Sequence, residues 1–240
     1  DAVLMARAAS LEGITDLIAT PHHANGSYMN YAADVIEAVD RLNERLQAER
    51  VPVTVHPGQE IRVHDDLLDA LGRKELLSLG YSAYVLIEMP HHKVPYGMPE
   101  LLHELSVLGV RPIIAHPERN GDILKDASRL DELLEHGAYT QVTSQSLLGG
   151  FGTHVSKCAW QLCRTGRIHI VSSDAHDIGR RSFQMREAYE TIEQEMGVLW
   201  SGYFEDNAQC VLQDRDFGRM PEVPKQPKSL LKSLKFFRNR

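Results

Sequence analysis

This sequence predicts a parallel α/β fold, as a closed or distorted barrel ahead of an open sheet. Three observations predict it. Short apolar runs rich in Val and Ile alternate with amphipathic helical stretches, the pattern of a parallel sheet covered by helices. Nearly every run ends in a polar side chain able to bind a ligand. No Gly-rich dinucleotide turn follows any of them, which favours the barrel over the open nucleotide-binding sheet.

Residues 1–12 carry a helical pattern, and "ITDLIAT" (14–20) is the first strand, with His22 and His23 just past it. A helix over 31–49 leads to the strand "VPVTVHPG" (51–58), with Glu60 beyond its end. Helix 65–77 precedes "YSAYVLIEMP" (81–90), which carries Glu88. Helix 97–109 precedes "RPIIAHP" (111–117), which delivers His116. Helix 127–136 leads to "AYTQVTS" (138–144), and helix 153–165 to "RIHIVSSDAH" (167–176) with Asp174 and His176. A last helical pattern covers 182–196. The step from His22 to Glu60 is 38 residues, and those to Glu88 and His116 are 28 each; 28 more reach Ser144, and 30 more Asp174. Steps of that size are single strand–helix units. The tips therefore return to one end of successive parallel strands. In a barrel that end builds the active site; in an open sheet it is the crevice beyond the carboxyl ends. The expected organisation is one domain over 1–218 and a basic, Pro-containing tail over 219–240.

Imidazole nitrogens and carboxylate oxygens at these tips suit Zn, Mn, Fe or Ni. Two close ions can share a bridging carboxylate and activate water at neutral pH. "SSDAH" offers Asp174 and His176, which an extended segment would place on one side. Singly, each residue reads as a cap or a surface group. Six of them recurring at strand ends read as one multi-metal hydrolytic site. Arg119 follows His116 by three residues and Arg181 follows His176 by five. A guanidinium matches phosphate oxygens with a planar fork, so the set points to a phosphate ester more than to an amide or sugar.

Several classes are set aside. A net charge of −7 argues against a general nucleic-acid binder. Cys158 and Arg164 have the C-x5-R spacing of cysteine-dependent phosphatases, but "AWQLC" between them is bulky and helical and lacks glycine. Three cysteines are too few for a disulfide framework and suit a reducing cytoplasm. No apolar run reaches the roughly 18 residues of a membrane span. His64, His103, His136 and His154 fall in helical or loop patterns and are expected at the surface. His91 and His92 are expected near the cleft, and "ANGSYMN" (24–30) is expected as a lid or rim. In the tail, Leu230, Leu231, Leu234, Phe236 and Phe237 interleave with lysines. It reads as a solubilising end or as a weak contact with an anionic membrane surface. The chain begins at Asp1 rather than Met, so the expectation is that a natural N-terminus, and any leader, lies upstream.

The motifs "ATPHHANGSYMN", "PGQEIRV", "YVLIEMP", "IIAHPERN", "QVTSQSLLGGFG" and "SSDAH", in that order, resemble the bacterial manganese-dependent tyrosine-protein phosphatases of the polymerase-and-histidinol-phosphatase (PHP) superfamily. These accompany capsule and exopolysaccharide synthesis. The resemblance spans essentially the whole chain, and the basic tail resembles the exopolysaccharide-linked versions. It implies a distorted (βα)7 barrel and up to three metal ions, Mn2+ first, with Fe, Zn or Mg compatible with the ligands. The implied ligands are His22, Glu60, Glu88, His116, Asp174 and His176, with Glu60 and Glu88 bridging. Arg119 and Arg181 would clamp the phosphate. The implied substrate is a phosphotyrosine protein, a bacterial tyrosine kinase, in the cytoplasm or at the inner membrane face. A histidinol-phosphatase-like small-molecule phosphatase and a catalytically impaired regulatory module stay open beside it. One departure stands out: the family's opening D-I-H-x-H strand and D-D-G turn have no counterpart, since "DAVLMARAAS" already reads as the first helix. The expectation is a barrel without its first strand and the metal-site residues that strand carries.

Overall fold

The structure, a computed structural model, describes residues 1–223. Helix α1 (Ala2–Leu11) precedes β1 (Asp16–Ala19) and β2 (His22–His23); α2 (Ala32–Ala48) leads to β3 (Thr54–Pro57) and β4 (Glu60–Arg62). Then come α3 (Leu67–Gly72), β5 (Tyr84–Glu88), α4 (Met98–Val107), β6 (Arg111–Ala115), α5 (Gly121–Lys125) and α6 (Asp131–Glu135). β7 (Tyr139–Thr143), α7 (Ser144–Leu147), α8 (Thr153–Arg164), β8 (Ile170–Ser172), α9 (Met185–Met196) and α10 (Val198–Leu212) complete the order.

β1 pairs with β3, and a six-stranded sheet runs β2-β4-β5-β6-β7-β8; every ladder is parallel. Ala19 faces Pro57 and His22 faces Glu60, so the register is unchanged across the gap between the two ladders. β1 and β2 are thus one strand with a break, as are β3 and β4. The break has a sequence cause. Pro21 has no N–H to give a ladder, and Gly58 sits where a Cβ would stand 2.8 Å from Ile18 Cγ2. The buried Gln59 replaces the lost pairing, accepting the Leu77 N–H at 2.6 Å and donating to the Asn30 carbonyl at 2.5 Å.

Burial follows the two faces of each strand. Val85, Ile87, Ile114, Val142 and Val171 pack outward under α4 and α8. Tyr84, Leu86, Ile113, Ala115 and Ile170 point to the other face, closed from below by Leu79 and Val211. α1, α2, β1 and β3 share a third cluster around Val35, Val39 and Val55. Among the described residues no ladder joins β1 and β2 to β8. Between these two edges lies a cleft of about 1580 Å³, with Ile18 and Ile170 in its walls.

The alternation of strands and helices is as the sequence predicts, with the short α5 and α7 added to it and three larger differences. The helix expected over 65–77 is only α3, followed by a 3₁₀ turn at Leu79–Tyr81. β8 ends at Ser172, so "SSDAH" is a loop rather than a strand end. α10 was not expected at all. Its buried residues Trp200, Tyr203, Phe204, Asn207 and Val211 lie on one stripe, but Val198 and Leu199 are exposed and the polar Ser201 and Asn207 are buried, so the apolar–polar contrast that marks a helix is weak in the sequence. No described helix is long and apolar enough to cross a membrane. The expected membrane contact of the tail concerns residues outside those described.

Candidate metal centre

Two-residue periodicity places the first carboxylates. On β5, Tyr84 and Leu86 face the interior, so Glu88 at the tip does too. On β4, Ile61 packs outward, leaving Glu60 and Arg62 on the opposite face. The parallel register then sets His22 beside Glu60, and Arg62 beside Glu88. His116 follows a different rule. Ile113 and Ala115 point inward on β6 and Ile114 outward, so strict alternation would turn His116 outward. Its φ of +35° reverses the chain there and swings the imidazole in. A left-handed non-glycine residue at a strand tip is costly, and it is one of eight in the described chain, Asp174 being another at +48°.

His22, Glu60 and Glu88 offer ligand atoms that all lie within 4.8 Å of one another. His22 Nδ1 is 3.6 Å from Glu60 Oε2 and 3.7 Å from Glu88 Oε2. Atoms that share an ion at about 2.1 Å sit about 3–3.5 Å apart, so the spacing fits. His116 Nε2 lies 2.7 Å from Glu60 Oε1 and 4.0 Å from Glu88 Oε1. Both carboxylates are almost fully buried, where unpaired charge is expensive. Arg62 answers part of that charge, with Nη2 at 2.9 Å and Nε at 3.0 Å from Glu88 Oε2. The remaining sign of a fit is His22 Nδ1 itself, buried and without a hydrogen-bond partner. The donor set of imidazole nitrogens and carboxylate oxygens suits a divalent ion.

Asp174 and His176 flank this cluster without joining it. Asp174 Oδ2 receives Arg119 Nη2 at 2.5 Å and Arg181 Nη2 at 2.7 Å. Burial pushes the Asp174 carboxyl up, but Arg119, His116 and Arg181 together hold it below the ordinary value. His176 keeps its Nδ1 on the Asp174 carbonyl at 2.8 Å, and its ring is 6.1 Å from that of His22. The two arginines therefore converge on one oxygen beside the carboxylate cluster. The Nε of each is buried without a partner.

Neighbouring groups shape the rim. Tyr28, exposed on the 24–30 loop, stacks on His22 with centroids 6.3 Å apart. His23 is buried and bonds the Asn30 carbonyl at 2.7 Å, so it fixes that loop and stays off the carboxylates. His91 is exposed, with Nε2 4.0 Å from Glu88 Oε1 and its ring stacked over His116 at 6.5 Å. Cys158 and Cys163 are buried in α8. Burial pushes the Cys158 thiol up to about 11 and the Cys163 thiol up as well, the reverse of what a nucleophilic thiolate needs. Sequence reasoning missed Arg62, although its place two residues after Glu60 on one strand is the signal that could have found it.

Known proteins resemble this arrangement along the chain. The family described as "Capsular polysaccharide synthesis, CpsB/CapC" matches residues 1–213. The tyrosine-protein phosphatase YwqE of Bacillus subtilis is 42% identical over 96% of this chain and 91% of its own length. The tyrosine-protein phosphatase CpsB of Streptococcus pneumoniae is 27% identical over 85% of this chain and 86% of its own. A solved structure from work on these two, described as unique metal-dependent tyrosine phosphatases, superposes with a TM-score of 0.89 at 42% identity, covering 95% of this chain and 92% of the other.

Proposed function

The chain belongs to the capsular polysaccharide synthesis CpsB/CapC family, and from that premise we propose that it is a metal-dependent protein-tyrosine phosphatase acting on a bacterial tyrosine kinase that controls polysaccharide synthesis. The observation that carries the reading is a pairing. A buried, unpartnered imidazole nitrogen stands among two buried carboxylates. Beside them two guanidiniums converge with their Nε donors free.

His22, Glu60, Glu88, His116, Asp174 and His176 would hold the ions, Mn2+ first and up to three in the family site. The chemistry such ions supply when held there is Lewis acidity toward a phosphoryl group and its attacking water. The protein's own groups do the rest. Arg119 and Arg181 bind the phosphoryl oxygens and stabilise charge that grows in the transition state. Asp174 spends Oδ2 on the two arginines, which leaves Oδ1 for an ion. Arg62 keeps Glu88 aimed into the site. Tyr28 gives the substrate ring an aromatic wall.

At the scale of the fold, the sheet is the greater part of a distorted (βα)7 barrel of the PHP type whose first strand is not among these residues. The support is the cleft between β1 and β8, whose facing edges are joined by no ladder among the described residues. The enzyme works in the cytoplasm, where its kinase substrate exposes phosphotyrosine.

Phosphotyrosine peptide and histidinol phosphate, assayed side by side with and without chelator, test the proposal. The expected result is hydrolysis of the peptide, abolished by EDTA and restored by Mn2+. Preference for histidinol phosphate would move the assignment to a small-molecule phosphatase. Binding of the phosphopeptide without any turnover would make the chain a regulatory module.

A further inference from the structure

We propose that Phe151 is the positioning residue of the phosphate clamp, carrying both guanidiniums on its ring and setting their planes for a phosphoryl group. The inference rests on the reading of Arg119 and Arg181 as phosphate ligands. The guanidinium carbon of Arg119 lies 4.7 Å from the Phe151 centroid and that of Arg181 5.7 Å. Both arginines also reach Asp174 Oδ2. Two like charges held this close need support, and the two supports differ in kind. Asp174 is an anion and occupies one Nη of each arginine. A ring attracts a cation through its quadrupole and leaves the N–H donors free. A second carboxylate in place of Phe151 would compete with phosphate for those donors. The buried, unpartnered Nε atoms of both arginines match a support that leaves donors for an incoming acceptor. Stacking also fixes the guanidinium planes, on which bidentate recognition depends.

The loop that bears the ring is built to hold it. Residues 149–152 read Gly-Gly-Phe-Gly, with Gly149 at φ +84° and Gly152 at φ +90°, conformations open to glycine and costly for other residues. A Cβ on Gly150 would stand 3.3 Å from the Gln145 carbonyl oxygen, which accepts the Gly150 N–H at 2.8 Å. Gln145 Nε2 in turn donates to the Arg180 carbonyl at 2.7 Å. One residue, Gln145, therefore ties the Phe151 loop, through its backbone, to the loop of Arg181, through its side chain.

The test compares Phe151→Leu and Phe151→Tyr in the full chain, by calorimetric titration with inorganic phosphate and by kcat and KM on a phosphotyrosine peptide. Leucine keeps apolar bulk and loses the π face. Phe151→Leu is expected to weaken phosphate binding by on the order of tenfold and to raise KM in proportion, with the unfolding midpoint unchanged. Phe151→Tyr is expected to restore both. Phe151→Met, equally without a π face, gives the same reading should the leucine variant not fold. Phosphate affinity in Phe151→Leu equal to the parent, or an equal loss in Phe151→Tyr, overturns the inference while leaving the phosphatase reading in place. Unchanged phosphate affinity in Arg119→Ala and Arg181→Ala overturns the clamp and the inference together.

Discussion

Arg62 places two donors on one oxygen of Glu88, itself almost fully buried, with Glu60 close by on the neighbouring strand. Removing one partner of a buried pair costs about 3–5 kcal/mol, because the other charge is left uncompensated. Arg62 keeps some solvent contact, so the lower end applies. Arg62→Met is expected to lose about 3 kcal/mol of stability in chelator, and Arg62→Met/Glu88→Gln to lose clearly less. Adding Mn2+ should narrow the gap between Arg62→Met and the parent, since a bound cation replaces the missing charge. Denaturant melts with EDTA and with Mn2+ read all three; a gap that ignores the metal would separate Glu88 from the metal centre. The same scale shows what residue patterns reveal. His22, Glu60, Glu88 and His116, which the structure brings together, stood out in the sequence because strand tips recur at intervals of one strand–helix unit. Glu118 did not, since it lies inside the "HPERN" motif yet points elsewhere. It is buried, with Oε1 accepting from both the backbone N–H and the hydroxyl of Thr143 at 3.2 Å. A residue's neighbours in sequence did not reveal that its partner is on β7.

At the level of elements, the tip of β5 is fastened to the start of α5. Gly121 donates its N–H to the His91 carbonyl at 2.7 Å, and Asn120 Nδ2 donates to the Pro90 carbonyl at 2.9 Å. Asn120 also caps α5, accepting from the Asp122 and Ile123 N–H groups. A Cβ on Gly121 would stand 2.8 Å from the His92 carbonyl oxygen and 3.3 Å from its carbon. Backbone cannot yield as a side-chain end can, so Gly121→Ala must push the loop of His91 and His92 away from the site. The expected cost is about 1–3 kcal/mol, with weaker activity as His91 leaves its place over His116. Gly72→Ala is the control. Nothing lies within 4 Å of its Cβ, and it is a helical position where alanine is favoured by about 0.5–1 kcal/mol. Urea melts of the two variants decide, and equal stability in both would remove the close approach as a constraint. The helices with a clean apolar stripe, such as α2 and α8, were plain in the sequence. The breaks at residues 20–21 and 58–59 were less plain: Pro21 is visible in the sequence, but the approach of Gly58 to Ile18 on the neighbouring strand is not.

Across the whole molecule, the strand order and the side that bears the site follow from unit lengths alone, since parallel strands with short connections leave few topologies. What no local pattern announces is the aromatic plug at the far end, because its members are scattered along the chain. Tyr84, Tyr139, His169 and Phe217 pack there, with His169 5.1 Å from Tyr139 and 6.2 Å from Phe217 between centroids. Asn207 of α10 donates to the His169 carbonyl at 2.9 Å, so the plug joins the last helix to the sheet. His169 Nδ1 accepts the Thr140 N–H at 3.2 Å, which requires a neutral ring nitrogen. Burial lowers its pKa from 6.5 to about 4. In the unfolded chain the same imidazole takes a proton near 6.5, so below that pH the unfolded state binds more protons than the folded one. Stability contributed by the neutral ring is present above pH 6.5 and falls away as pH drops toward 4, by about 3 kcal/mol in all. His169→Gln keeps an acceptor for Thr140 and cannot titrate. It is expected to be somewhat less stable at pH 7.5 and to lose less as pH falls to 4.5. Urea midpoints of the two proteins between pH 7.5 and 4.5 give the difference directly, because every other titrating group is common to both and cancels. Parallel pH profiles would mean that the plug tolerates the imidazolium, and that acid sensitivity in this fold arises elsewhere.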